Sequence, residues 1–370
     1  MSQPPDLSVL IVNWNSVHFL EKCLRSVYES AGDLHFEVIV VDNASYDGSQ
    51  EMLKDKFPRV EFIQNTANEG FAKANNKAFH HSSGRWVLFL NPDTEVIGPA
   101  LATLLAFLKA TPDAGIVGPK LLNSDGSVQI TSIMHFPSLL NEALDFEFLH
   151  RAFPRFPLWN IAPLFERAGD KGVPVEAISG ACMMMPRGVF EEVGMFDTSY
   201  FMFSEDLDLC YKVRKAGWKT YYCGSAVLVH HGGGSVASAS EGFRTVTTHA
   251  SHVEFISSRY GNLQGLLYRK AMALVAAARL IAGYALLIST LGLVSRHSLR
   301  PALARWLTVL RWAISAGHTE YASVPAASER QDLSRLSERH RERTTVPFPG
   351  SPAAPHTQPQ GREVDPEERA

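Results

Sequence analysis

Two aspartates of the sequence follow apolar runs at the points where buried strands would end. Asp42 follows FEVIVV, and Asp93 follows WVLFLNP. Because burying an unpaired charge is costly, each carboxylate needs a hydrogen-bond donor, a cation or a ligand. On neighbouring strands, Asp42 with Asn43 could bind a base or ribose, and Asp93 could hold a divalent cation through its oxygens. Such a cation would neutralise a diphosphate.

Three carboxylates lie close together in the segment FMFSEDLDLCYK. Glu205, Asp206 and Asp208 fall near the start of an expected helix, where the helix dipole favours negative charge. Ordinary helix capping would explain one or two of them. The apolar neighbours Phe201 and Leu207 indicate, alternatively, surroundings that raise the pKa of a carboxylate toward the range of a useful general base.

Two histidines end the strand-like run VLVHHGGGS. Either His230 or His231 could complete a metal site with carboxylate and phosphate oxygens, whereas ordinary hydrogen bonding would also explain a histidine at a strand end. The glycines form neither GxGxxG after a strand nor GxxxxGK[ST], and no GxSxG elbow occurs. The signatures of dinucleotide folds, P-loops and nucleophile elbows are therefore missing.

The elements that must position these groups alternate along the first 120 residues. Short apolar runs predict strands at 7–12, 36–41, 60–64, 86–90 and 115–117, and amphipathic patterns predict helices at 17–30, 48–56, 70–81 and 99–110. Strands and helices in alternation predict a mostly parallel sheet with helices on both faces. Ligands of such sheets bind beyond the carboxyl ends of the strands.

Polar residues follow four of the predicted strands at that edge. The clusters are Asn13 to Asn15, Asp42 to Ser45, the segment NEGFAKANN from Asn68, and Asn91 to Asp93. Asn, Asp and Gly also form turns, which would explain any one cluster. Four clusters on one edge favour a binding site.

The composition of the chain limits which classes of protein it can belong to. The 370 residues carry a net charge of -3 and an isoelectric point near 6.5, which gives no electrostatic reason to expect nucleic-acid binding. Four scattered cysteines predict reduced, buried thiols of an intracellular protein rather than a disulfide framework. The first residues, MSQPPDLSVL, do not resemble a signal peptide.

The chain after about residue 133 has a different character. An aromatic, irregular stretch at 133–172 predicts a lid or a docked segment. Residues 271–294 are apolar except for Arg279, Tyr284 and two hydroxyl groups, and in RPALARWLTVLRWAISAG the apolar residues Leu303, Trp306, Leu307, Leu310 and Ile314 fall on one helical face. A membrane-surface helix, a true span, and a soluble helical subdomain or dimer contact are the three alternatives. We expect a catalytic domain at 1–262, a helical extension at 263–322 and a disordered tail at 323–370.

Seven ordered motifs within residues 7–260 resemble the family 2 inverting glycosyltransferases, and their bacterial rhamnosyltransferase-like branch in particular. They are SVLIVNWN, VIVVDNASYDGS, NEGFAKANN, FLNPDTEV, SGACMMMPR, GMFDTSYFMFSEDLDLCYKVRKAGW and VHHGGGS. The resemblance implies the GT-A fold, a nucleotide-diphospho-sugar donor and a divalent metal, Mn²⁺ or Mg²⁺. It also implies transfer of a sugar, such as the deoxyhexose rhamnose, to a glycan or lipid-linked acceptor of the cell envelope.

The same resemblance assigns roles to individual residues. Asp206 matches the catalytic base, with Glu205 as its neighbour, and Asp93 and His230 match the metal-binding residues. Residues matched to nucleotide-sugar binding are Asn13, Asn15, Asp42, Asn43, Asn68, Gly70, Asn75, Asn91, Asp93, Gly180 and Ala181. Asn91 stands where the family's DxD motif has its first acid, which leaves direct metal binding to Asp93. Which of Glu205 and Asp206 takes the proton, and which of the two histidines faces the metal, stay open.

Two other functions compete with glycosyl transfer. A sugar-nucleotide pyrophosphorylase shares the sheet and the acidic edge but needs a glycine-rich, basic phosphate loop after the first strand, where this chain has NWNSVHF. A non-catalytic sugar-nucleotide-binding protein need not keep converging acids and a histidine. A basic, apolar C-terminal segment further predicts a cytoplasmic enzyme bound peripherally to the inner face of the cell membrane.

Overall fold

The computed structural model describes residues 4–138, 165, 172–232, 241–289 and 296–315. Its first elements are β1 (Leu7–Asn13), α1 (Val17–Ser30), β2 (Phe36–Asp42), α2 (Ser49–Lys56), β3 (Glu61–Gln64), α3 (Phe71–His81), β4 (Trp86–Leu90), β5 (Thr94–Ile97), α4 (Ala100–Ala110) and β6 (Ala114–Leu122). These are followed by β7 (Ile133–Met134), β8 (Val173–Val175), β9 (Ala177–Ile178), β10 (Cys182–Pro186), α5 (Arg187–Glu192), α6 (Glu205–Lys215), β11 (Lys219–His230), α7 (Glu241–Tyr260), α8 (Asn262–Ser289) and α9 (Arg296–Ile314). Most of residues 133–172 and all of 323–370 lie outside the described part, so the predictions for them stay open.

One large sheet organises the described residues, in the strand order β3-β2-β1-β4-β10-β6-β11-β5 with β8 beside β11. Strands β3, β2, β1 and β4 run parallel to one another, and β11 runs parallel to β6. The predicted strands and helices of the first 120 residues are therefore confirmed, with ends shifted by a residue or two and β6 longer than expected. The predicted mostly parallel sheet is confirmed as well.

Antiparallel strands complete the sheet on the side away from β3. Strand β10 pairs antiparallel with β4, and β5 pairs antiparallel with β11. The sequence patterns did not predict β5, since it is four residues long and follows a Pro-Asp turn. Its pairing matters for the site, because the register sets His230 opposite Thr94.

The core lies in two layers, one on each face of the sheet. Helices α1 and α4 supply side chains such as Leu24 and Leu104 to one layer. The other layer contains packed aromatic rings, with the Phe89 ring centre 4.7 Å from Phe190 and 4.8 Å from Phe196. All four cysteines are buried and unpaired, which confirms the prediction of reduced thiols.

Helices α7, α8 and α9 pack on one another and on the hydrophobic core beside the sheet. Tyr268 and Met272 of α8 and Trp312 of α9 are buried in the same core layer as Phe89. The guanidinium carbon of Arg279 lies 4.0 Å from the centre of the Trp306 ring. The helical extension thus shares a hydrophobic core with the preceding residues.

Helix α8 has a second, exposed face. Its apolar residues there are Leu263, Leu266, Leu267, Leu274, Ile281, Tyr284, Leu286 and Ile288. By length and composition α8 could cross a membrane, as one such helix among the described residues. In α9, by contrast, the face predicted for membrane contact is used largely for packing, since Leu303 is buried and Trp306 packs against the core.

Candidate active site

Strand pairing brings Asp93 and His230 together at one edge of the sheet. Antiparallel pairing of β5 with β11 places the His230 Nε2 3.4 Å from an Asp93 carboxylate oxygen and 3.5 Å from the Asn91 amide nitrogen. The other ring nitrogen, Nδ1, is 2.8 Å from Oε1 of Gln129. If Nδ1 carries the proton and donates it to this oxygen, Nε2 is left as the electron-pair donor facing Asp93.

The neighbouring histidine faces a different environment. His231 Nε2 lies 2.8 Å from Glu95 and its Nδ1 lies 2.8 Å from the Ser124 hydroxyl, while its ring packs on Phe19. Successive residues of a strand point to opposite faces, so only one of the two histidines can face Asp93. In this structure that residue is His230.

The pair Asp93 and His230 provides one carboxylate and one imidazole. Among the described residues, no group of three or more His, Cys, Asp and Glu side chains is placed to hold a metal ion. The chemistry of the two donors fits a divalent cation, and a carboxylate buried as deeply as Asp93 needs a positive partner. Two donors leave several coordination positions for ligand oxygens or water.

The residues at the carboxyl ends of β1 and β2 form a hydrogen-bonded cluster. The register aligns Asn13 with Asp42, and the Asn13 amide donates to an Asp42 oxygen at 2.7 Å. The Ser45 backbone N–H and the Gln64 amide both donate to the other oxygen, each at 2.7 Å. Asn15 accepts a hydrogen bond from the Tyr46 backbone at 3.0 Å. The structure therefore brings together Asn13, Asn15 and Asp42.

A second chain of contacts links Asn43 to the loop before α3. The Asn43 amide donates to the Gly70 carbonyl at 3.2 Å and accepts from the Asn65 amide at 2.8 Å. The Lys77 ammonium in turn donates to Asn65. Asn68 accepts from the Gly70 backbone at 3.0 Å. Asn75 lies one turn into α3, buried, with its amide donating to the Phe71 carbonyl.

Gly70 connects the hydrogen-bonded residues at the ends of β1 and β2 to the loop that precedes Glu205 and Asp206. Its φ is +84°, and a Cβ there would stand 2.5 Å from the Phe201 carbonyl oxygen. The Phe71 N–H donates to that same oxygen at 3.1 Å. Only glycine accommodates both the backbone angle and the contact. The loop before α3 and the loop before α6 are therefore held against each other.

The loop that presents the acids is strained. Phe203 and Ser204 both have positive φ, at 68° and 67°, which is unfavourable for residues with a side chain. Glu205 follows, buried, with Oε2 lacking a hydrogen-bond partner in the structure. Burial, and to a lesser extent the charge of the adjacent Asp206, raises the pKa of Glu205 from its ordinary 4.5 to about 8. Glu205 is therefore mostly protonated at neutral pH.

Asp206 is held in a different way. It is only partly buried, one of its oxygens accepts the Gly180 N–H at 2.8 Å, and the other accepts the Leu207 N–H at 2.8 Å. Burial raises the pKa of Asp206, whereas these N–H groups and the His252 imidazole act to lower it. A Cβ on Gly180 would lie 3.2 Å from the carboxylate. The glycine leaves room for the acid, with Ala181 next to it.

Comparison with known proteins shows the family of the chain. A model of glycosyl transferase family 2 matches residues 8–194. The chain belongs to glycosyl transferase family 2. An N-acetylglucosaminyl-diphospho-decaprenol L-rhamnosyltransferase of Mycobacterium tuberculosis is 33% identical over 236 residues, or 61% of this chain and 76% of the relative. Rhamnosyltransferase WbbL of Escherichia coli is 24% identical over 230 residues, or 60% and 82%.

Solved structures agree on the fold. A mannosyltransferase from Pyrobaculum calidifontis, in complex with GDP-Man and Mn²⁺, has a TM-score of 0.53 at 19% identity and covers 85% of this chain and 87% of its own. GalNAc-T7 with UDP, GalNAc and Mn²⁺ has a TM-score of 0.50 at 16% identity, with 70% and 48% coverage. The protein is thus a rhamnosyltransferase-like family 2 glycosyltransferase with the GT-A fold, as the sequence motifs predicted.

The third acid of the cluster has a structural role in this glycosyltransferase. Asp208 is fully buried and forms an ion pair with Arg259 of α7 and another, at 3.5 Å, with Lys212. Its contacts tie α6 to α7. Asp208 is therefore an anchor of the helix that presents Glu205 and Asp206.

Two residues near the site were not predicted from the sequence. Gln129 contacts His230 from the turn after β6, and the His252 imidazole of α7 acts to lower the pKa of Asp206. Gln129 follows the recognisable turn NSDG, which was the one available signal. His252 lies in a helix with no motif around it, so only the tertiary packing reveals it.

Proposed function

We propose that this glycosyltransferase transfers a sugar, a deoxyhexose such as rhamnose, from a nucleotide-diphospho-sugar to a hydroxyl group of a glycan or lipid-linked acceptor of the cell envelope, with inversion at the anomeric carbon. The observation that carries this proposal is the pairing of unlike acids at the start of α6. Glu205 is buried and burial raises its pKa, whereas Asp206 is partly exposed and held by backbone N–H groups.

Asp206 is the base in this proposal. Its carboxylate takes the proton of the acceptor hydroxyl as that oxygen forms a bond to the anomeric carbon. The bond from this carbon to the diphosphate breaks on the opposite face, and the electron pair leaves with the nucleoside diphosphate. Glu205 remains neutral beside it, so that Asp206 carries the negative charge of the pair. The Gly180 N–H fixes the orientation of the Asp206 carboxylate.

The donor would occupy the edge formed by Asn13, Asp42, Asn43 and the Gly70 loop. Asp93 and His230 would hold a divalent cation, Mn²⁺ or Mg²⁺, which supplies positive charge to the departing diphosphate. Asn91 has no negative charge to add. We therefore expect cation binding to depend strongly on donor binding, since the diphosphate oxygens must supply further ligands.

The acceptor is proposed to be lipid-linked at the cytoplasmic face of the membrane. The exposed apolar face of α8 and the exposed Lys270, Arg305 and Arg311 would contact an anionic lipid surface. Replacing both Leu274 and Ile281 with serine should reduce co-sedimentation of the enzyme with anionic vesicles. The activity of this variant on a soluble acceptor should stay the same. Deleting the extension is a poor test, since Tyr268 and Met272 belong to the core.

The test of the reaction uses Asp206→Asn. With a panel of nucleotide-diphospho-sugars and Mn²⁺, the wild-type enzyme should release nucleoside diphosphate and give a glycosylated product identifiable by mass. The variant should lose about two to four orders of magnitude of turnover, the usual contribution of a general base. Asp55→Asn, on the exposed surface of α2, is the matched control. Release of pyrophosphate, or near-normal turnover of Asp206→Asn, would refute the proposal.

A further inference from the structure

The turn after β6, with the sequence NSDGSVQ, holds Gln129 against the His230 ring. The backbone of Gln129 is bonded on both sides. Its N–H donates to the Leu121 carbonyl at 2.9 Å, and its carbonyl accepts from the Ser132 N–H at 3.0 Å and from the Ser132 hydroxyl at 2.6 Å. The partly buried side chain of Gln129 is therefore carried on a backbone of defined position.

A chain of hydrogen bonds within this turn sets the direction of the Gln129 amide. The Ser127 hydroxyl lies 2.6 Å from an Asp125 carboxylate oxygen, and a carboxylate only accepts, so the hydroxyl donates to Asp125. The Ser127 oxygen then accepts from the Asn123 amide nitrogen at 2.9 Å, and the Asn123 oxygen accepts from the Gln129 amide nitrogen at 3.1 Å. The Gln129 oxygen is left to face Nδ1 of His230 at 2.8 Å.

The reverse direction would place two acceptors against each other. If the Gln129 amide nitrogen faced the histidine, the Asn123 amide would have to rotate as well, and the Ser127 hydroxyl would have to donate to Asn123. The Ser127 oxygen would then meet the Asp125 carboxylate with no hydrogen between them. Hydrogen bonds from Ser127 lower the pKa of Asp125 below its ordinary 3.8, so this carboxylate is ionised at neutral pH.

The other nitrogen of the His230 ring has a competing partner. A hydrogen on Nε2 could point to Asp93, whose carboxylate oxygen is 3.4 Å away. That distance is longer than the about 2.7–2.9 Å of a charge-assisted hydrogen bond, whereas the contact with Gln129 is not. The Asn91 amide nitrogen, which is itself a donor, also faces Nε2, at 3.5 Å. The contacts on both sides of the ring favour a hydrogen on Nδ1.

We infer that Gln129 is a positioning residue that holds the His230 ring with its hydrogen on Nδ1, so that Nε2 presents an electron pair beside Asp93. A cation binds only the unprotonated nitrogen of an imidazole, and the partner of the other nitrogen decides which one that is. The turn thus contributes to cation binding through His230. The inference rests on the proposed role of Asp93 and His230 in holding a divalent cation.

Nitrogen-15 spectra of metal-free enzyme with labelled histidines test the position of the hydrogen directly. At pH 8.5 imidazole in water is neutral, and the spectra show which ring nitrogen carries the hydrogen. The signals of His230 are those missing from His230→Gln. Wild type and Gln129→Glu should carry the hydrogen on Nδ1, since a carboxylate at position 129 can only accept. Gln129→Leu offers no acceptor and should move the hydrogen largely to Nε2, toward Asp93.

The affinity for Mn²⁺ provides a second measurement. Mn²⁺ is titrated by electron paramagnetic resonance, alone and with UDP, GDP or dTDP. Gln129→Leu should bind Mn²⁺ about tenfold more weakly than wild type, as is usual when the partner behind a metal ligand is lost. Asn123→Ala frees the Gln129 amide to rotate and should lose less, and Gln129→Glu should bind at least as tightly as wild type. The control Gln264→Leu, on the exposed surface of α8, should change neither measurement.

The outcomes separate this inference from the proposed cation site. A wild-type spectrum for Gln129→Leu, or unchanged Mn²⁺ affinity in this variant, would refute the role of Gln129 alone. Wild-type enzyme that binds no Mn²⁺ under any of these conditions would overturn the cation site of Asp93 and His230, and this inference with it. If Gln129→Leu does not fold, Asn123→Ala decides, and its hydrogen remaining entirely on Nδ1 would refute the inference.

Discussion

Replacing Glu205 with glutamine should stabilise the folded enzyme at neutral pH. The Glu205 side chain is buried, its Oε2 has no hydrogen-bond partner, and its pKa is raised from 4.5 to about 8. A raised pKa means that the folded protein binds this proton more tightly than the unfolded chain does. Stability from this group is therefore fully present below about pH 4.5 and declines as the pH rises toward 8.

The magnitude follows from the size of the shift. Each pKa unit corresponds to about 1.4 kcal/mol, so the free energy of unfolding loses about 1.4 kcal/mol per pH unit within this range. Between pH 5.5 and 7.5 the loss due to Glu205 is about 2.5 kcal/mol. Glutamine is neutral at every pH and has nearly the same shape. Glu205→Gln should therefore lack this part of the pH dependence.

Urea unfolding followed by tryptophan fluorescence at pH 5.5, 6.5 and 7.5 provides the measurement. The difference in unfolding free energy between Glu205→Gln and wild type should grow with pH, while the control Glu51→Gln, on the exposed surface of α2, stays parallel to wild type. Turnover of Glu205→Gln should remain within about tenfold of wild type, because glutamine imitates the protonated acid. Parallel curves for Glu205→Gln and wild type would show that Glu205 is ionised in the folded protein.

Three more substitutions test other parts of the site. Asp208→Asn removes the buried carboxylate that pairs with Arg259 and Lys212, leaving Arg259 with Asp197 at 3.7 Å, and should cost about 3 kcal/mol, seen as a lower Tm; an unchanged Tm would contradict the anchoring role. Gly180→Ala places a Cβ 3.2 Å from Asp206 and should lower kcat roughly tenfold at unchanged Tm. Asn91→Asp adds a carboxylate beside Asp93 and should tighten Mn²⁺ binding without donor by roughly tenfold in calorimetry; equal affinity would remove Asn91 from the site.

Local patterns were sufficient for the first half of the sheet. Strands such as β1 and β4 are continuous apolar runs that end in turn-forming residues, and both signals lie within a few neighbouring residues. The polar residues after them lie at one edge because parallel strands share a direction. The register aligns Asn13 with Asp42 at this edge. The prediction that Asp42 and Asp93 follow neighbouring strands was wrong, because β1 lies between β2 and β4.

Long-range pairing decided what the sequence left open. Alternation along β11 shows that His230 and His231 face opposite ways, but only the register with β5 shows which one meets Asp93. Likewise, a pattern of apolar neighbours places Glu205 and Asp206 near a core without showing which is buried. The folded structure shows that Glu205 is buried and that Asp206 is partly exposed.

The two faces of α8 bear on how the enzyme meets a membrane. One face carries Tyr268 and Met272 into the protein core, and Arg279 on the same helix stacks on Trp306, so this face is committed to protein contacts. The opposite face exposes apolar side chains such as Ile281. A helix that crosses a bilayer away from the catalytic domain would have to give up the first set of contacts and place Arg279 in hydrocarbon, at a cost of about 2.5 to 3.5 kcal/mol for the arginine alone. Binding along the membrane surface would keep the packing of the first face and place the apolar side chains of the second against lipid, as the proposed acceptor requires.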